Sequence, residues 1–402
     1  MKLNLAGLAV ATVWLLVTPV VAGQTMAEET SPPVTVEQVE GDIMVQPDTE
    51  MVQPDTELEP TKPIVIAHRG ASGYAPEHSV AALAMAHVMG ADYIEQDIVL
   101  TRDHVPVVLH DIVLDHISNV RDVFPDKKRP DERYYVLDFT FVELQKLNLT
   151  ERQTAAGEQR YPARFPAGTG QLKVMSLAQQ IELILGLNQT RGLQTGLYIE
   201  LKNARWHKQQ GYDVLQQTLN VLARYGLTDA SNLAAPVFLQ CFDPEVLRRI
   251  KREFLLELPL IQLIADNSWN ESDIDYHTML SAAGMETLRN YADGVGLWLE
   301  QVFLGLDEQG QPKFSQVVEH AKAAGLLVHV YTLRADELPE GAESYEQLVQ
   351  WLTDIGVDGF FTDFPDYPVP LKSAPSDTHP LPDHNSLEED QQLQNGADGI
   401  VL

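Results

Sequence analysis

The sequence predicts an α/β protein, and more specifically a (β/α)8 barrel. Short apolar runs typical of strands alternate with segments of helical spacing over roughly 300 residues, a length that suits one barrel domain. In addition, one predicted strand after another ends in polar or charged residues. A barrel gathers the carboxyl ends of its strands at one face. The sequence therefore predicts a single barrel with a functional site at that face.

Nine runs are strand candidates, one more than the eight strands of such a barrel. The strand candidates are 64–67, 93–99, 105–109, 197–201, 236–240, 259–264, 294–297, 326–331 and 359–361. Helices are predicted at 77–90, 141–149, 177–187 (after the N-cap Ser176), 212–225, 244–253, 274–291, 314–324 and 344–355.

The third strand candidate is the irregular one. Only residues 100–104 separate it from the second, and a parallel crossover needs about a dozen residues. The third run is therefore either a hairpin partner of the second or a strand joined to it without a helix. The extra candidate is explained either by this step or by the short run at 294–297.

Segments outside the barrel differ from it in composition. Residues 1–22 are typical of a signal peptide, which predicts export, to the periplasm or alternatively out of the cell. Residues 23–62 are acidic and contain one septet twice (44–50 and 51–57), so they are expected to be a disordered linker. The barrel is predicted at 63–371 with an insertion at about 112–173, and 372–402 are expected to be a disordered tail.

The formal net charge is −30. This charge argues against nucleic acid as a partner, because no basic surface is available to neutralise phosphates. A small anionic substrate would need a local positive pocket or a metal ion. The single cysteine, Cys241, excludes an internal disulfide, and no segment of the mature chain is apolar enough for stable membrane insertion. Oligomeric state is left open.

Three acidic residues predict a metal site. Glu95 and Asp97 lie two apart on the second strand, so their side chains point the same way. Glu200 ends the fourth strand. Three carboxylates suit Ca²⁺ or Mg²⁺, whereas zinc would be expected to recruit histidine and cysteine.

Basic residues at the same strand ends predict phosphate chemistry. Arg69 and Lys202 are cations suited to holding a phosphate group. His68 and His110 suit proton transfer near neutral pH, one taking a proton from the nucleophile and the other giving one to the leaving alcohol. Together with a cation these groups predict phosphodiester cleavage. The alternative is that the acids and cations form only structural ion pairs.

The motifs resemble those of the glycerophosphodiester phosphodiesterases, in particular the exported bacterial type, over about 64–370. The matching motifs, in the family's order, are His68-Arg69-Gly70, Pro76-Glu77-His78-Ser79, Glu95-Gln96-Asp97, His110-Asp111, Glu200-Leu201-Lys202, Gln240-Cys241-Phe242 and Thr362-Asp363-Phe364-Pro365. Three positions depart from the common pattern: Glu77-His78-Ser79 for Glu-Asn-Thr, Cys241 for Ser, and Tyr331-Thr332 for Trp-Thr. Because Cys241 alternates with its two neighbours, it is expected to be a buried thiol that faces away from the site.

The resemblance implies a barrel of the phosphatidylinositol-phospholipase type. It implies a divalent cation, most often Ca²⁺ in the exported type, on the three carboxylates, with the two histidines as the acid/base pair. Arg69 and Lys202 would hold the phosphate. Gln240 would contact the substrate, and Phe242 and Trp298 would pack against the glycerol carbons.

The expected activity is metal-dependent hydrolysis of glycerophosphodiesters, that is, deacylated phospholipids, to sn-glycerol 3-phosphate and an alcohol. Direct attack by water and attack by the glycerol 2-hydroxyl through a cyclic phosphate both fit. Little in the predicted site reads the alcohol, so a broad range of head groups is expected. The alternatives are a phospholipase D-like or phosphatidylinositol-specific enzyme that acts on intact lipid, and an inactive barrel that serves as a binding or surface protein.

Overall fold

Residues 62–229 and 234–367 are described by the structure, a computed structural model. The strands in these ranges are β1 (Ile64–Ala67), β2 (Tyr93–Leu100), β3 (Pro106–Val108), β4 (Gly196–Leu201), β5 (Val237–Cys241), β6 (Leu260–Ile264), β7 (Gly294–Trp298), β8 (Phe303–Leu306), β9 (Pro312–Phe314), β10 (Leu327–Leu333) and β11 (Gly359–Thr362). The main sheet has nine strands: β3 at its edge and eight parallel strands in the order β1-β11-β10-β7-β6-β5-β4-β2. Pairing of β1 with both β2 and β11 closes the ring. The predicted barrel is confirmed.

The irregular third run is a hairpin partner. β3 pairs antiparallel with β2, with Val107 opposite Val99. A tight turn joins the two strands, and His104 adopts a left-handed backbone there (φ 61°). β3 therefore adds no strand to the ring, whereas the short run at Gly294–Trp298 is a barrel strand, β7.

Helices lie between the strands in sequence. They are α1 (Val80–Val88), α2 (Val120–Val123), α3 (Phe141–Leu144), α4 (Leu177–Arg191), α5 (Ala204–Gln209), α6 (Val214–Arg224), α7 (Pro244–Arg249), α8 (Ala282–Leu288), α9 (Leu299–Val302), α10 (Val317–Ala323) and α11 (Tyr345–Asp354). The helices α2 and α3 lie in the predicted insertion and the others between successive barrel strands. Ser176 caps α4 as predicted, accepting a hydrogen bond from the backbone N–H of Gln179.

Several predicted boundaries were wrong. The helix predicted at 141–149 ends at Leu144, and the one predicted at 274–291 is divided into a 3₁₀ turn (Tyr276–Leu280) and α8. The helix α5 and the β8–β9 hairpin were not predicted. Both occupy short loop segments, where the apolar spacing is too brief to indicate an element.

Aromatic and branched side chains fill the barrel. Ile66, Tyr198, Phe238, Ile261 and Phe361 form one buried cluster. A second, larger cluster packs the outer faces of the strands against the helices. The filled interior means that a ligand site must lie at the rim, where the strands end.

The predicted insertion, 112–173, has its own apolar cluster. Leu114, Phe139 and Leu147 pack there with Val99 of β2 and Val107 of β3. This packing holds the insertion beside the carboxyl end of β2. The predicted signal peptide, most of the linker and the tail lie outside the described residues. Within the two described ranges, no helix is both long and apolar enough to span a membrane.

Candidate active site

The predicted acidic residues lie side by side at one end of the barrel. In the strand register Asp97 is opposite Glu200, and Glu200 is opposite Gln240. Tyr198 packs inside the barrel, and Glu200, two residues later, points the same way. Glu95 is paired with Tyr198 and faces the same interior. The four polar side chains therefore converge where the strands end.

The three carboxylates have the arrangement of a cation site. One ligand atom from each of Glu95, Asp97 and Glu200 lies within 4.8 Å of the others, and all three residues are buried. Burial, with the charges of Asp97 and Glu200, raises the pKa of Glu95, and burial raises the pKa of Glu200 to about 8. Asp97 Oδ1 and Gln240 Oε1 have no hydrogen-bond partner among the residues the structure describes. Repelling carboxylates and orphaned oxygens fit a divalent cation that prefers oxygen ligands.

His68 is held by a carboxylate from the far end of the sequence. Its Nδ1 lies 2.7 Å from Asp363 Oδ1, because β1 and β11 are neighbours in the closed ring. The other oxygen of Asp363 accepts hydrogen bonds from Arg334 Nε (2.9 Å) and Arg164 Nη2 (2.8 Å). The carboxylate holds the ring proton on Nδ1 and leaves Nε2 facing Glu95, 3.9 Å away. Burial lowers the pKa of His68 to about 4, so the ring is neutral at pH 7 and can accept a proton.

His110 is oriented in the same manner. Its Nδ1 lies 2.5 Å from Asp111 Oδ1. On the other side of the ring, Lys202 Nζ lies 3.2 Å from Nε2 and 2.7 Å from Glu200 Oε1. Burial and the adjacent cations lower the pKa of His110 to about 3. Two neutral imidazoles, each with a carboxylate on Nδ1, thus flank the acidic cluster.

An ion-pair network connects the site to the insertion. Arg69 Nη1 donates to Glu77 Oε2 at 3.0 Å, and Arg152 of the insertion donates to the same oxygen at 2.9 Å. Arg152 also donates to Asp111 Oδ2 at 2.7 Å. The insertion therefore helps to fix both Arg69 and the carboxylate that orients His110.

A cavity of about 460 Å³, here called the metal-side cavity, opens over these groups. Every predicted site residue except Asp97 lines it; Asp97 is fully buried beneath the others. The lining residues from the prediction are His68, Arg69, Glu95, His110, Glu200, Lys202, Gln240, Phe242 and Trp298. Cys241 does not line it: its thiol donates to the carbonyl of Leu201, and burial raises its pKa.

Part of the site was not predicted. Trp269 packs edge-on against Trp298, with ring centroids 5.0 Å apart, and Tyr331 completes the aromatic wall. Asp363 belongs to a predicted motif, but no function in the site was predicted for it. Glu151 and Arg152, both in the insertion, line a cavity with the two histidines and add a carboxylate and a cation to its wall. No periodic pattern marks Trp269 or the insertion residues, so the sequence offered no signal for them.

Comparisons with known proteins show which family the chain belongs to. The glycerophosphoryl diester phosphodiesterase family matches residues 68–367. A glycerophosphodiester phosphodiesterase of Haemophilus influenzae is 38% identical over 322 residues, covering 75% of this chain and 88% of the relative. The chain belongs to the glycerophosphoryl diester phosphodiesterase family. This confirms the predicted family and enzyme class.

Two further matches extend the comparison. The glycerophosphodiester phosphodiesterase of Treponema pallidum is 33% identical over 332 residues, covering 78% of this chain and 92% of the relative. A crystal structure of a protein from Silicibacter pomeroyi matches 78% of this chain and 94% of its own, with a TM-score of 0.56 and 20% identity. At that identity the likeness is one of fold, and it agrees with the barrel.

Proposed function

We propose that the chain hydrolyses glycerophosphodiesters to sn-glycerol 3-phosphate and an alcohol, using a divalent cation on Glu95, Asp97 and Glu200 and using His68 and His110 for proton transfer. The observation that carries the proposal is the pairing of two carboxylate-oriented imidazoles around one acidic cluster. An inactive binding protein would have no need for two histidines whose Nδ1 atoms are both fixed.

Each residue has a role that its contacts support. Arg69 and Lys202 supply the positive charge that a phosphate needs in a protein of net charge −30. One histidine takes a proton from the attacking nucleophile, which is water or the glycerol 2-hydroxyl, and the other protonates the oxygen of the leaving alcohol. Both rings are neutral in the free site, and the negative charge of a bound phosphate favours protonation of the donor.

The acidic cluster would hold the cation, which when bound draws charge from the phosphate oxygens. Ca²⁺ is the favoured ion, because carboxylates combined with an amide oxygen such as Gln240 Oε1 suit its flexible coordination. Mg²⁺ is the alternative. Phe242 and Trp298, on the aromatic side of the cavity, suit the carbon face of glycerol.

Export is also part of the proposal, with the periplasm as the favoured destination. It is supported by the composition of residues 1–22, which is typical of a signal peptide. In the same scheme 63–371 form the catalytic domain, and the N-terminal linker and the C-terminal tail are accessory segments.

The decisive assay compares glycerophosphocholine with intact phosphatidylcholine by the choline that each releases, with glycerol 3-phosphate measured as the second product of the former. The proposal predicts turnover of the former only, and preference for the intact lipid would favour the phospholipase alternative. His68→Ala and His110→Ala should each lower kcat at least about 100-fold, the usual contribution of general acid or base catalysis. His277→Ala is the matched control, since its side chain is 63% exposed and outside the cavity. Full activity in either His68→Ala or His110→Ala would contradict the assignment.

A further inference from the structure

A second cavity of about 240 Å³, here called the insertion-side cavity, adjoins the metal-side cavity at the two histidines. The residues that line both are His68, Arg69, His110, Arg160, Tyr161 and Arg334. The remaining wall of the insertion-side cavity is polar and comes largely from the insertion, including Glu151 and Arg164. A phosphodiester has two ester arms that diverge from one phosphorus atom. Two cavities that meet at the phosphate-holding groups match those two arms.

The two cavities differ in chemistry. The metal-side cavity has the aromatic wall of Phe242, Trp298 and Tyr331, which suits the carbon atoms of the glycerol arm. The insertion-side cavity has Tyr161 as its one aromatic side chain besides the two histidines among the described lining residues, and Tyr161 lines the metal-side cavity as well. The ester arm that enters the insertion-side cavity is therefore that of the leaving alcohol.

Glu151 is the unusual residue of the insertion-side cavity. It is 4% exposed, and its Oε2 has no hydrogen-bond partner in the described part of the chain. Burial raises its pKa to about 7. An unpaired buried carboxyl costs stability, which indicates that a ligand supplies its partner. Either protonation state of this carboxyl can accept a hydrogen bond from a hydroxyl group.

Hydrogen-bond donors line the same cavity as Glu151. Arg334 uses Nε on Asp363, and its two Nη groups make no hydrogen bond with the residues described. It lines both cavities, as does Arg160, which is paired with Glu337 at the rim. A cavity lined by guanidinium donors and a carboxyl acceptor can hydrogen-bond an alcohol that carries several hydroxyl groups.

The same wall disfavours a quaternary ammonium group. Recognition of such a group needs open aromatic faces. The face of Tyr161 is already covered by the guanidinium of Arg164, 3.7 Å from the ring centroid, with that of Arg160 at 4.8 Å. A trimethylammonium head would therefore meet guanidinium groups instead of an aromatic cage.

We propose that the insertion-side cavity is the head-group subsite, and that Glu151 selects polyhydroxyl alcohols such as glycerol or inositol over choline. This inference rests on the proposed function and refines it, since the sequence alone led us to expect broad tolerance. Glu151 is a specificity-determining residue and takes no part in the proton transfers.

The test measures kcat/KM for glycerophosphoglycerol, glycerophosphoinositol and glycerophosphocholine with the full chain and Ca²⁺. The wild type should prefer both polyol substrates to glycerophosphocholine by about tenfold or more. Glu151→Ala should lower kcat/KM for the polyol substrates about tenfold or more, the usual effect of losing a hydrogen bond to a charged group. It should change kcat/KM for glycerophosphocholine less than about threefold, so that the preference disappears.

Two controls make the outcome decisive. Glu151→Gln conserves shape and one acceptor oxygen, so it keeps the fold if Glu151→Ala does not, and it should lower the polyol preference by a smaller factor. Glu158→Gln removes an exposed carboxylate from the same insertion and should leave the preference unchanged. An equal loss for all substrates, or no loss, would overturn the head-group proposal while the enzyme remains active. If the wild type hydrolyses none of the three diesters, the proposed function fails and the head-group inference fails with it.

Discussion

Asp363→Asn tests the claim that the closed barrel orients His68. Asp363 is 2% exposed; its Oδ1 lies 2.7 Å from His68 Nδ1, and its Oδ2 accepts from Arg334 and Arg164 at 2.9 and 2.8 Å. Asparagine has one acceptor oxygen for these three donors. Whichever way its amide is turned, the N–H groups would face either the His68 ring N–H or the two guanidinium groups. His68 would then lose its fixed tautomer.

The size of the effect follows from that contact. A hydrogen bond to a charged group contributes about 1.5–3 kcal/mol, and about 1.4 kcal/mol is tenfold in rate. We therefore expect Asp363→Asn to lower kcat about 10- to 100-fold and to change KM little. The assay is steady-state release of glycerol 3-phosphate from glycerophosphoglycerol.

Asp336→Asn is the matched control, because Asp336 binds the same Arg164 guanidinium at 2.7 and 2.9 Å but does not contact His68. It should retain kcat within about threefold. In a His68→Ala background, Asp363→Asn should have no further effect, since the two residues act as one unit. Equal losses in the two aspartate variants, or full activity in Asp363→Asn, would show that Asp363 does not orient His68 for catalysis.

Two further predictions concern the metal and the response to acid. EDTA should abolish activity, and added Ca²⁺ should restore it. Saturating Ca²⁺ should also raise the Tm of the wild type but not that of Asp97→Asn. Undiminished activity in EDTA would contradict the proposed metal dependence. Burial inside the barrel lowers the pKa of His329 to about 4, against about 6.5 in an unfolded chain. Above pH 6.5 the residue is neutral in both states, so its contribution to folding stability is constant. As pH falls from 6.5 to 4 the unfolded chain takes up a proton that the folded state does not, and the folded state loses stability. The loss is about 3 kcal/mol. In His329→Gln the amide can still bind the Tyr198 hydroxyl, and the unfolding free energy should depend less steeply on pH than in the wild type. Parallel wild-type and variant curves would contradict this.

The barrel was predictable because its signals are local. Alternating strand and helix patterns identified all eight barrel strands, and the spacing of Glu95 and Asp97 put both on one side of β2. The third run stayed ambiguous because a strand pattern does not state its direction. Only the short distance to β2 favoured a hairpin, which the structure contains.

The supporting parts of the site depend on closure and on irregular segments. His68 and Asp363 are 295 residues apart and meet only because β1 joins β11. Glu151 and Arg164 lie in an insertion without periodicity, so neither their burial nor their position at the histidines could be inferred. The predicted site residues could therefore be found from motifs, whereas the groups that orient them, and those that we propose contact the head group, became apparent only in the three-dimensional arrangement.

The most direct test of the central claim is ³¹P NMR of the purified chain acting on glycerophosphocholine in the presence of Ca²⁺. We expect the bond between phosphorus and the choline oxygen to break, so that the phosphodiester resonance is replaced by that of sn-glycerol 3-phosphate. A phosphocholine resonance, or an unchanged phosphodiester after prolonged incubation with the active-site residues intact, would contradict the claim.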